Sequence, residues 1–161
     1  MIKRKALFLL FVFFSSLWIF SGCASLSPQD SSNNIRWRTL AEGMIEAQQT
    51  KKPCLVDFYT GEECHRCRVL DRNVYLAPKI IERINRDFIP VRVSLDGELT
   101  QKEQALADEL KSGGECILLF LDHSGKVIKD RAKKEAVCTM DMLTPEVFIE
   151  YMDRALKNIN G

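Results

Sequence analysis

The chain has 161 residues, with 23 Lys and Arg against 22 Asp and Glu and a formal net charge of +1. That balance leaves no basic field to draw in nucleic acid, and the length suits one domain after any processed leader. Six cysteines make thiol chemistry the first question the composition raises.

Lys3, Arg4 and Lys5 precede an almost uninterrupted apolar run from Ala6 to Phe20. The run falls short of the ~20 residues of a membrane span and suits a secretory signal. Ser21-Gly22 then lead to Cys23, and this junction resembles a bacterial lipoprotein signal, in which the cysteine is lipidated and becomes the first mature residue. Phe20 departs from that pattern, which usually has an aliphatic residue there. The expectation is a lipoprotein-type signal peptide at 1–22, a lipidated Cys23 heading a flexible Ser-, Asn- and Pro-containing tether at 23–34, and one domain at 35–161. A plain signal peptide or an uncleaved anchor is the alternative. The resemblance implies a lipid-anchored protein facing the periplasm, and Ser25 in place of Asp favours the outer membrane. Loss of the leader removes three cations and no acid, which leaves a net charge of −2. Cys54, Cys64, Cys67, Cys116 and Cys138 remain, an odd number in a compartment that permits disulfides, so at least one thiol stays free or bound.

Trp37, Leu40, Ala41, Met44, Ile45 and Ala47 recur at helical spacing and predict an amphipathic helix over 35–50. Lys51-Lys52-Pro53 ends it, and Cys54 to Tyr59 reads as a short buried strand. Gly61-Glu62-Glu63 then approach Cys64-His65-Arg66-Cys67, and a helix follows to about Tyr75. Cysteines three residues apart fall on one helix face, one turn apart. At a helix N-terminus they also feel the positive end of the dipole, which favours thiolate. Ala77-Pro78 opens a helix with Ile80, Ile81 and Ile84 as its apolar side, and Phe88 to Leu95 reads as a strand. After the Asp96-Gly97 turn comes a helix over 99–111, broken by Ser112-Gly113-Gly114. Cys116 to Leu121 is an apolar strand, and Asp122-His123-Ser124-Gly125 form a hairpin loop into Lys126 to Lys129. Residues 131–142 are polar and unassigned. Thr144 as N-cap and Pro145 in the first turn start a last helix, whose apolar side includes Val147, Phe148, Tyr151, Met152 and Ala155.

This order predicts an α/β fold that ends in an antiparallel pair. At Lys52-Pro53-Cys54-Leu55-Val56-Asp57-Phe58, Cys64 to Cys67, Pro90 to Asp96, and Leu118-Leu119-Phe120-Leu121-Asp122 with Gly125-Lys126, the sequence resembles the thioredoxin-like superfamily. The likeness is strongest to periplasmic thioredoxin-like proteins and to DsbD-type C-terminal domains. It implies a central mixed sheet, two parallel strands plus an antiparallel hairpin, flanked by helices. It also implies thiol–disulfide oxidoreductase activity on exported proteins or redox partners, without a cofactor, in a monomer. Cys64 would be the attacking thiol and Cys67 the resolving one.

The strand pattern puts Asp57 on one face with Leu55 and Tyr59, while Cys54, Val56 and Phe58 share the other. An acid in so apolar a strand should have a raised pKa. The resemblance makes Asp57 a proton relay to Cys67, although Gly61-Glu62-Glu63 lengthen the gap by one residue and Glu63 replaces the usual aromatic. Arg66, Arg68 and a protonated His65 would favour the Cys64 thiolate, against Glu62 and Glu63. Cys116 stands where the resemblance places a cis-proline. It is a third candidate thiol for the relay, or, with Cys64, Cys67 and His65, for a soft metal such as Cu(I) or Zn(II). The blander readings are a buried, reduced Cys116 and a thioredoxin-like scaffold with a structural disulfide. Cys54 reads as core filler, Cys138 as free or paired with Cys116, and His123 as an exposed loop residue.

Overall fold

Two capping boxes decide where helices begin, and they correct the expected boundaries. In a computed structural model, which describes residues 34–60, 64–112, 118–137 and 144–159, the first helix α1 spans Leu40–Thr50 rather than starting at Ile35. The Thr39 hydroxyl accepts from the Glu42 amide at 3.3 Å, and the Glu42 carboxylate accepts from the Thr39 amide at 3.0 Å. This exchange satisfies donors that a helix end otherwise leaves orphaned. Trp37 therefore lies outside the helix. Its neighbour Arg38 runs parallel to the second strand, with its amide donating to Pro90 O and its carbonyl accepting from Arg92 N, both at 3.0 Å. Thr100 and Glu103 repeat the device, so the helix expected at 99–111 starts at Gln101 and spans Gln101–Ser112.

Strand β1, Cys54–Tyr59, is followed by α2, His65–Leu70, a π-helical turn at Asp71–Tyr75, and α3, Pro78–Asp87. Strand β2, Ile89–Ser94, comes next, then α4, Gln101–Ser112, β3, Leu118–Leu121, and α5, Pro145–Ile159. The sheet order is β2-β1-β3. β1 and β2 run parallel in a register that sets Asp57 opposite Arg92, and β1 and β3 run antiparallel, with Asp57 opposite Leu118. The sheet is thus mixed and flanked by helices, as expected. The hairpin return is thinner than a strand. It meets β3 at an isolated bridge, Leu121 to Val127, with the Ile128 amide donating to Phe120 O at 2.8 Å. Asp122 Oδ1 accepts from the amides of Ser124 and Lys126, and Gly125 takes a φ of +89°, which suits a residue without Cβ.

Alternation along β1 divides the interior into two clusters. Leu55 packs with Leu70, Val74, Ile80, Ile84 and Phe148, so α2, the π turn, α3 and α5 cover one face. Cys54, Val56 and Phe58 pack with Met44, Ala47, Leu106 and Leu110, so α1 and α4 cover the other. All four β3 residues are buried, as a strand covered on both faces requires. Each large side chain buried this way contributes roughly 1.5–3 kcal/mol. On α5 the buried stripe is Phe148, Met152 and Ala155, whereas Val147, expected on the apolar side, is exposed.

Helix α1 approaches β2 closely because Gly43 has no side chain. A Cβ there would stand 2.3 Å from Val91 Cγ2, and a buried β-branched valine has little freedom to yield. Gly43→Ala should lower stability by about 1–3 kcal/mol, despite alanine's better helix propensity. Urea unfolding of the variant beside wild type checks this.

Candidate functional site

The dithiol occupies the start of α2. Cys64 is its N-cap, with extended backbone angles, and the Cys67 amide points at Cys64 Sγ at 3.0 Å. The two residues form a disulfide, with Cα atoms 5.2 Å apart. Cys64 is half-buried and Cys67 buried, so the first residue of the pair is the more open to solvent. His65 is exposed, and Arg66 and Arg68 are half-buried.

Beyond Leu70 the helix widens into the π turn. The Asp71 amide is shared between the carbonyls of Arg68 and Cys67, and the phase slip buries the adjacent residues Val74 and Tyr75 together. Such turns concentrate at functional sites because they re-aim side chains that a regular helix would carry past. Here the turn carries Asp71, whose Oδ1 accepts from Arg92 Nη2 at 2.7 Å. The same nitrogen lies 2.8 Å from Asp57 Oδ2, and Arg92 Nε donates to that oxygen at 2.9 Å. Arg92 therefore joins the middle of the sheet to the helix that bears the disulfide.

Three aromatic rings hold this guanidinium. Its centre lies 4.3 Å from the Trp37 ring centroid, 4.8 Å from Tyr59 and 5.6 Å from Tyr75. Cation–π contacts are worth ~0.5–2 kcal/mol each, more as water is excluded. Trp37 meets Tyr75 edge-on at 5.1 Å, and Tyr75 meets Phe148 edge-on at 5.8 Å, so the cage continues into the core.

Asp57 is 3% exposed. Burial pushes its pKa from 3.8 up to about 6, against the opposing pull of Arg92, while the Asp71 charge adds to the rise. The expectation of a buried acid with a raised pKa therefore holds. The Tyr75 hydroxyl also favours the Asp57 carboxylate, yet its oxygen meets no partner with ordinary hydrogen-bond geometry. Burial, followed by the nearby Asp57 charge, holds the Tyr75 phenol well above its usual range.

Cys54 lies on the opposite face of β1. It is buried and free of any disulfide, its sulfur is 3.8 Å from Gly43 O, and burial pushes its pKa up to about 12. A thiol so protonated is core filler, as its strand parity indicated. Cys23, Glu62, Glu63, Cys116 and Cys138 lie outside the described residues, and with them the expected lipid site, the approach loop and the third candidate thiol. Among the described residues no cluster of three or more His, Cys, Asp or Glu could hold a metal ion, and no helix is long and apolar enough to cross a membrane.

Arg92, Asp71, Trp37 and Tyr75 carry no role in the sequence reading. Two features could have found the central pair. A cation inside the apolar run Ile89 to Val93 needs a buried counter-charge, and Asp57 in the other buried strand needs the same. Parallel pairing of the two strands makes the match.

The strand order and the disulfide at the helix following β1 place the protein in the thioredoxin-like class of α/β folds. The chain belongs to the thioredoxin-like family, whose model matches residues 36–122, more than half of its length. Among solved structures it is similar to the DsbH oxidoreductase, at 17% identity and a TM-score of 0.55, over 77% of this chain and 85% of that one. A thioredoxin from Thermus thermophilus is similar at 23% identity and a TM-score of 0.55, over 78% and 90% of the two chains. The reduced C-terminal domain of Neisseria meningitidis DsbD is similar at 16% identity and a TM-score of 0.50, over 73% and 91%. At these identities the likeness is one of fold. No curated protein matches the chain in sequence.

The raised pKa of Asp57 has a thermodynamic consequence. The folded chain holds this proton more tightly than the unfolded chain, so the contribution to stability is complete below about pH 4 and is lost as pH rises through about 6. Asp57→Asn keeps a neutral group at all pH values. It should be more stable than wild type at pH 7, by roughly 2–3 kcal/mol, and should converge with it near pH 3.5. Urea unfolding of the oxidised proteins across this range measures the difference.

Proposed function

We propose that the protein is a thiol–disulfide oxidoreductase of exported proteins, held at a membrane facing the periplasm by lipid on Cys23. The observation that carries the reading is the Cys64–Cys67 disulfide at the start of α2, with the capping residue the more exposed of the two. The fold shared with the DsbH oxidoreductase supports it.

In the reducing direction the Cys64 thiolate attacks a substrate disulfide, forms a mixed disulfide and expels one substrate thiolate, which takes up a proton. The Cys67 thiol gives up its proton and attacks Cys64 Sγ. The Cys64–Cys67 disulfide closes and the second substrate thiolate leaves. The substrate gains two electrons and the dithiol loses them; the oxidising direction is the reverse. Asp57 is the proton acceptor for Cys67 in this scheme, and a carboxyl with a pKa of about 6 can take and return a proton near neutrality. The amide that Cys67 directs at Cys64 Sγ would also stabilise negative charge on that sulfur. His65, Arg66 and Cys116 are proposed to modulate the pair, the first two through charge and the last as a neighbouring thiol.

The full chain should accelerate insulin reduction by dithiothreitol. Cys64→Ser should abolish this, with a loss of at least about a hundredfold, and Cys67→Ser should accumulate a mixed disulfide visible on non-reducing gels. A wild type no faster than dithiothreitol alone would remove the enzymatic reading. Radiolabelled palmitate fed to expressing bacteria should enter the wild type and not Cys23→Ala; equal labelling would refute the tether.

A further inference from the structure

The partners of Asp57 carry an inference that deepens, and rests on, the oxidoreductase reading. A buried carboxylate paired with one arginine makes a poor proton acceptor. Protonation would leave the guanidinium half-buried without its counter-charge, and an unpaired charge in that position is costly. Arg92 is not in that position. Its Nη2 lies 2.8 Å from Asp57 Oδ2 and 2.7 Å from Asp71 Oδ1, and its Nε donates to the same Asp57 oxygen. The rings of Trp37, Tyr59 and Tyr75 hold the guanidinium in place independently of either carboxylate.

We propose that Asp71 is a positioning residue for proton transfer at the dithiol: it shares Arg92 with Asp57, so that Arg92 keeps a carboxylate partner whichever protonation state Asp57 adopts. With Asp57 ionised, one cation serves two acids and the second acid opposes ionisation of the first. With Asp57 protonated, the Arg92–Asp71 pair remains and no buried charge is stranded. Without Asp71, Asp57 would be the sole carboxylate paired with Arg92 among the described residues and would hold its negative charge against protonation.

Among the described residues, the charged and titratable groups that face Asp57 agree with this assignment. From β2 comes Arg92, and from the π turn come Asp71 and the Tyr75 hydroxyl. The β3 residue opposite Asp57 is Leu118, which adds no charge. Asp71 is also the more accessible of the two acids, with a side chain 36% exposed against 4% for Asp57. Solvent therefore reaches the Asp71 carboxylate far more readily than the buried one. Asp71 and the disulfide share one continuous helical stretch, His65 to Tyr75, so the relief partner moves with the dithiol.

The test is a direct titration of Asp57 in the full-length chain carrying carboxyl-13C aspartate, with the resonance identified by its loss in Asp57→Asn. Asp71→Asn should lower the proton affinity of Asp57 by about tenfold or more, seen as a titration midpoint at least one pH unit lower. Asp71→Ser should do the same, and Asp71→Glu should restore the midpoint to within about threefold of wild-type affinity. A midpoint in both neutral variants within threefold of wild type, or higher than wild type, would overturn the proposal. So would a drop in Asp71→Glu as large as that in Asp71→Asn, because geometry rather than charge would then be at work. The readout is a carboxyl resonance and does not depend on turnover. An inactive wild type with the expected shift would reject the enzymatic reading alone, and an active wild type without the shift would reject the role of Asp71 alone.

Discussion

One guanidinium organises the interior of this domain at the level of charge. Arg92 donates to a carboxylate in the neighbouring strand and to another in the helix that carries the disulfide, and three aromatic rings enclose it. Placing an acid 3% exposed inside a sheet is expensive unless a cation is delivered to it. Parallel pairing of β1 with β2 makes that delivery, because the register that matches Cys54 with Ile89 also matches Asp57 with Arg92. Moving the register by one residue would put Asp57 opposite a different side chain and turn the buried pattern of β2 inside out.

The rest of the structure protects this arrangement. The residues before α1 are extended along the outer edge of β2, where Arg38 bonds to Pro90 and Arg92 and sets Trp37 over the guanidinium. A helix starting at Ile35 would have carried Trp37 away from it. The π turn does comparable work on the other side: by slipping the helical phase it buries Val74 and Tyr75 side by side and brings Asp71 to Arg92. Gly43 lets α1 lie close on Val91, one residue from the cation.

Most of the element order was legible because its signals are local. The apolar strands at 54–59 and 118–121, the Thr144-Pro145 start and the isoleucines of α3 each show in a few consecutive residues. Strand parity also separated Asp57 from Cys54 correctly. The hidden features depend on choices made between distant segments or between similar local options. Trp37 fits the 3.6-residue period, but the Thr39–Glu42 exchange outweighs that weak hydrophobic pattern and starts the helix later. Val147 fits the α5 period, but the helix turns Phe148, Met152 and Ala155 into the core, with Ile149, Tyr151, Leu156 and Ile159 packed beside them, and leaves Val147 exposed. A π turn has no composition of its own, so nothing in the sequence distinguished Asp71 from any acid on an exposed helix face. The partnership of Arg92 with two acids depends on strand register and on that turn together, and neither is visible residue by residue.

The ring above Arg92 gives the domain an internal lamp. Trp37 is the only tryptophan between residue 24 and the C-terminus, since the other of the two is Trp18. Its indole stands 4.3 Å from the guanidinium and in edge contact with Tyr75, so charge at Asp57 and packing of the dithiol helix both bear on its excited state. The colour and yield of its emission therefore report on the buried acid without any attached dye.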